Sequence, residues 1–111
     1  MAVIFAIASI AIVMKIDPYL TETLMRDLVA HSRSAAAFLV YLQLYSLTHG
    51  SGRNSLAMSH GVLAELTGIS KRSVQTAIGH LIDRRLVRSR KARPTSVPVY
   101  EVLTPWIRRS R

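Results

Sequence analysis

The side chains best placed to do chemistry form one polar run: Ser70, Lys71, Arg72, Ser73, Gln75 and Thr76, with His80 a helical turn further on. No nucleophile in this run is paired with a base, so the chemistry it offers is recognition by hydrogen bonds. Arg and Gln present paired groups that match the edges of guanine and adenine, while Lys, Ser and Thr suit phosphates or single acceptors. No acid interrupts the run before Asp83. A second basic set, Arg90, Lys91 and Arg93, lies in a turn-rich stretch and is placed to reach a phosphate backbone or a neighbouring minor groove. Arg53, Arg84 and Arg85 are further candidates for flanking phosphates.

These residues need a scaffold, and the apolar spacing supplies one. Val62, Leu63 and Leu66 fall on one face of a short helix, and Val74, Ile78, Leu81 and Ile82 recur at three- and four-residue steps in the next. Ser59 and Ser70 are placed to cap the two helices by accepting from free first-turn N–H groups. Gly68 ends the first helix where a positive φ costs glycine little, Ile69 points into the crevice between the helices, and Ala64 is small where they cross. This is a helix-turn-helix pattern, in which one helix braces the other for the major groove. Two strands follow, Leu86 to Arg90 and Pro98 to Leu103, around the tip KARPTSV.

Together, LAELTGISKRSVQTAIGHLIDRRLV and the basic hairpin resemble the winged helix-turn-helix segment of small bacterial and phage-type regulators, including the MarR-like families. The resemblance covers roughly residues 34–106. It implies a mainly α fold with a small β-hairpin: a three-helix core, a leading helix and a β-wing. It also implies double-stranded DNA as partner, sequence-specific binding in transcriptional regulation, and a homodimer. Families of this type often place Gly before the wing strand, where this chain has Arg85, so a left-handed turn there is strained.

Composition fits that reading. With 111 residues the chain is long enough for one domain with a modest core. The formal net charge is +9, and its location is uneven. Up to Gly52, Lys15, Arg26 and Arg33 are balanced by Asp17, Glu22 and Asp27; from Arg53 onward twelve basic residues face only Glu65, Asp83 and Glu101. The excess therefore lies with the polar run and points to a polyanion. The chain has no cysteine, and His31, His49, His60 and His80 are scattered without ligand spacing, so the expectation is no metal, no cofactor and no enzymatic activity. A cytoplasmic location is compatible with this.

Four segments follow. Residues 1–14, MAVIFAIASIAIVM, are apolar, shorter than the roughly 20 residues of a membrane span, and without the basic start of a secretory signal. Their status stays open between a membrane-associating tail, an element buried in a dimer, and a start placed upstream of Met14. Residues 15–33 hold a leading helix, opened by Asp17-Pro18 and striped by Leu20, Leu24, Leu28 and Met25, which packs on the rest of the chain or on its copy. Residues 34–107 form the winged domain: a core helix capped by Ser34, a strand within residues 53–58 with Leu56 and Met58 inward, the reading head, and Trp106 tucked onto the core. Residues 108–111 are a basic tail. Two rival functions fit the same pattern: a plasmid or phage replication-initiator domain, and a winged protein-interaction module.

Overall fold

A computed structural model describes residues 16–107, so the expectations for residues 1–14 and 108–111 lie outside the described residues. Four helices and a small antiparallel sheet make a winged helix-turn-helix. Helix α1 covers residues 18–31, α2 Ala35–Leu47, α3 His60–Thr67 and α4 Lys71–Asp83; strands are β1 Ser55–Ala57, β2 Val87–Arg90 and β3 Val99–Val102.

Asp17 opens α1 as expected, accepting from Tyr19 N–H at 2.9 Å through Oδ1, with its own carbonyl bonded to Leu20 N–H at 2.9 Å. The rest of α1 departs from an ordinary helix. Over Leu20–Leu24 and Asp27–His31 it is wound as a π-helix, closed at its end by Ser32 N–H to Asp27 O at 3.0 Å. Widening the coil brings residues four apart closer to one line than a 3.6-residue turn does. Leu20, Leu24 and Leu28 are accordingly all buried, while Met25, expected in the same stripe, is 40% exposed. The stripe packs within the chain, α1 lying against α2.

Helix α2 is the central post. Ser34 caps it by accepting Ala37 N–H at 3.1 Å, and Ala37, Phe38, Val40, Tyr41, Leu44 and Tyr45 are buried. Buried Tyr41 would leave an unmet hydroxyl, but it donates to Leu103 O at 2.7 Å, tying α2 to the residue that follows β3. The sheet order is β1-β3-β2, with Ser55 opposite Glu101 and Arg88 opposite Glu101 on the other side of β3. Alternation along β3 turns Tyr100 and Val102 into the core. Leu56 and Met58 pack against the same core. Trp106 stacks on Tyr19 at 4.5 Å and donates from Nε1 to Asp17 Oδ2 at 2.9 Å.

Candidate nucleic-acid interface

The reading head is built from its caps. Ser59 Oγ accepts Val62 N–H at 3.2 Å to start α3, and Gly68, at φ 79°, ends that helix in the left-handed region. Two residues on, Ser70 Oγ accepts Ser73 N–H at 3.0 Å and starts α4, so the turn between the helices is closed by chemistry at both ends. Of the apolar positions expected inward on α3, only Leu63 is buried; Val62 and Leu66 are 44% and 40% exposed. An eight-residue helix leaning on α4 and α2 hides one row, and Val62 and Leu66 fall beside it. On α4, Val74, Ala77, Ile78 and Leu81 are buried and Ile82 is 40% exposed. Ala77, unremarked in the sequence, belongs to that buried row.

With that face inward, Lys71, Arg72, Gln75 and Thr76 are exposed. They divide into two rows, each bordering a concavity. Lys71 and Gln75, one turn apart, line a cleft of about 370 Å³ together with Ser59, His60 and Lys91, so recognition helix, brace helix and wing converge there. Arg72 and Thr76 line a second hollow of about 250 Å³ with Ser34, Ser70 and Ser73. In that hollow Ser70 Oγ donates to Ser73 Oγ at 2.9 Å, and the first turns of α2 and α4 both border it. Sequence reasoning did not include Ser34, Ser59 or His60 in the site; their positions next to helix starts were the available signal.

The remaining expected residues are placed differently. Arg90 and Arg93 are exposed on the wing but line neither concavity. His80 lies further along α4, half-buried, with Nε2 shielded from solvent and without a hydrogen-bond partner. Arg84 is a correction: instead of meeting a flanking phosphate it pairs with Asp27 Oδ2 and donates to Ser32 Oγ at 2.5 Å, clamping the end of α4 to α1. That guanidinium holds the Asp27 carboxyl below its usual range, His31 contributing less. Arg88 is similarly engaged, donating to Glu101 Oε1 at 2.9 Å across the sheet. Arg85 stays exposed at φ 59°, in the strained left-handed turn that its position before the wing implies.

Electrostatics in the cleft are one-sided. Burial, then Lys91, then Lys71 keep the His60 imidazole below its ordinary pKa, the signature of a positive, partly desolvated pocket. Among the described residues no three His, Cys, Asp or Glu side chains gather into a metal-binding group, and no helix is long and apolar enough to cross a membrane.

Against known proteins, no curated protein and no solved structure matches the chain. A family model does match, over residues 34–87, from the Ser34 cap to the first residue of β2. Its description is a helix-turn-helix domain, which agrees with the winged helix-turn-helix arrangement that these residues adopt.

Proposed function

We propose that the chain binds double-stranded DNA sequence-specifically, as a winged helix-turn-helix transcriptional regulator acting by binding and not by catalysis. The observation that carries this reading is the division of α4: one face is buried to the last apolar side chain but Ile82, and the other exposes Lys71, Arg72, Gln75 and Thr76 without an acid before Asp83. In this reading Arg72 and Gln75 contact base edges and Lys71, Ser73 and Thr76 hold phosphates, while Arg90, Lys91 and Arg93 work from the wing. Ser70 acts from behind, setting the angle at which α4 enters the groove. His80, further from the helix start, borders the same face.

A homodimer and a cytoplasmic setting belong to the same proposal. Met25 and Val29 support the dimer, since α1 leaves them 40% and 42% exposed after its leucine row is buried within the chain. The test is a salt titration of the full chain on a pool of random duplexes, with enrichment and sequencing of what is retained. An enriched motif repeated with two-fold symmetry, half-sites about one helical turn apart, is the expected result. Salt-sensitive retention with nothing enriched overturns sequence-specific regulation and leaves only electrostatic attraction.

A further inference from the structure

His60 has no role in the reading above, yet it sits where the reading head is most positive. It is the first residue of α3, and its ring lies over the Tyr100 ring of β3 with centroids 6.4 Å apart. The cleft it lines is also lined by Lys71 from α4 and Lys91 from the wing. The charged and titratable groups around it are those two ammonium groups and the Tyr100 ring; among the described residues no carboxylate lines the cleft. Two lysines, an imidazole and the positive end of α3 together give this cleft the chemistry to hold an anion.

We propose that this cleft is a backbone-phosphate site for bound duplex and that His60 holds the phosphate as imidazolium, so that DNA binding takes up a proton. The inference rests on the DNA-binding reading above and adds to it a ligand and a linkage. In the free protein partial burial removes water that would stabilise a charged ring, and Lys91 and Lys71 repel a third positive charge. A phosphate entering the cleft neutralises the lysines and supplies an acceptor. The ring then draws one proton from solvent and donates a charge-assisted hydrogen bond. The sign follows: the bound state has the higher pKa, so affinity rises as pH falls through it and levels off below the free-state value.

The experiment measures affinity of the full chain for one duplex of fixed sequence at constant ionic strength, from about pH 8 to about pH 5.5, the range in which imidazoles titrate. The wild type is expected to tighten as pH falls, by up to about tenfold per pH unit at the steepest point, the limit for one linked proton. His60→Gln should flatten that slope, and His31→Gln, which alters a histidine paired with Asp27 on α1, should keep it. An NMR titration of the wild-type His60 ring, with and without saturating duplex, gives a readout independent of any variant's folding: its midpoint should move up on binding. A flat wild-type profile, an unchanged slope in His60→Gln, or an unmoved His60 midpoint overturns the proposal. Absence of duplex binding at every pH overturns the DNA-binding reading itself, and the proposal with it.

Discussion

Helices α2 and α4 are both 13 residues long, and they are opposite kinds of helix. In α2, Gln43 and Ser46 are the polar residues and no side chain is charged; its broad buried face holds Ala37, Phe38, Val40, Tyr41, Leu44 and Tyr45, and Ala35 and Leu39 are the exposed positions. In α4, burial is confined to one stripe and the other side is charged or hydroxylated. A helix with a broad dry face and no charged side chain serves as a frame. A helix with one wet face is held by its dry one and is free to bind with the other. The two touch each other extensively, so the frame sets the position of the reader.

Substitutions should separate the two roles, and the largest effect belongs to the frame. Leu44→Ala, in the fully buried middle of α2, is expected to cost about 2–5 kcal/mol of stability by chemical denaturation, with DNA affinity of the remaining folded fraction unchanged. On α4 the pattern should invert. Arg72→Ala or Gln75→Ala should leave stability within about 0.5 kcal/mol and weaken binding by about 1–3 kcal/mol at one base position. Equal loss on every sequence would remove the residue from the base-reading set. A loss of stability in these variants would break the comparison.

How much of this could be read from sequence depended on range. Caps and turns were legible because they join residues a few positions apart: Ser34, Ser59 and Ser70 each accept from the third residue on, and Gly68 needs only its own φ. The frame helix and the wing were legible because their apolar patterns are complete within each element. The roles of basic side chains were not, because a long flexible cation takes whichever partner the fold brings near. Arg84 finds Asp27 57 positions away, and nothing in DRRLV distinguishes it from Arg85, which has no such partner among the described residues. Likewise, His60 gains its setting from Tyr100 and Lys91, both far along the chain.

Three smaller effects sharpen the same contrast. Ser70→Ala removes the cap on α4 and should cost about 1 kcal/mol of stability; affinity for all sequences should fall with it, since the cap holds the reader and not a base. Arg85→Gly should raise thermal stability by up to about 1 kcal/mol by relieving the left-handed backbone, at the expense of one positive charge beside the wing. The Asp27–Arg84 clamp should show in the pH profile. Asp27 is depressed in the folded state, so its contribution is present above the unfolded carboxylate range and is lost as pH falls through the folded value. Each partner is about one-third exposed, so the effect should stay below about 1 kcal/mol, and Arg84→Ala should flatten stability in that acid range.

The hydrogen bond from Trp106 to Asp17, made beside the stack of the indole on Tyr19, joins residues 89 positions apart. Because Trp106 is the single tryptophan of the chain, its emission is a built-in optical gauge of that one junction. Excitation of the indole reports whether the start of α1 and the segment after β3 remain together, with no label attached. Trp106 lines neither of the two concavities of the reading head. Saturating duplex should therefore leave its emission maximum in place, whereas release of α1 would shift it to the red, so one fluorescence trace distinguishes a ligand being read from a domain coming apart.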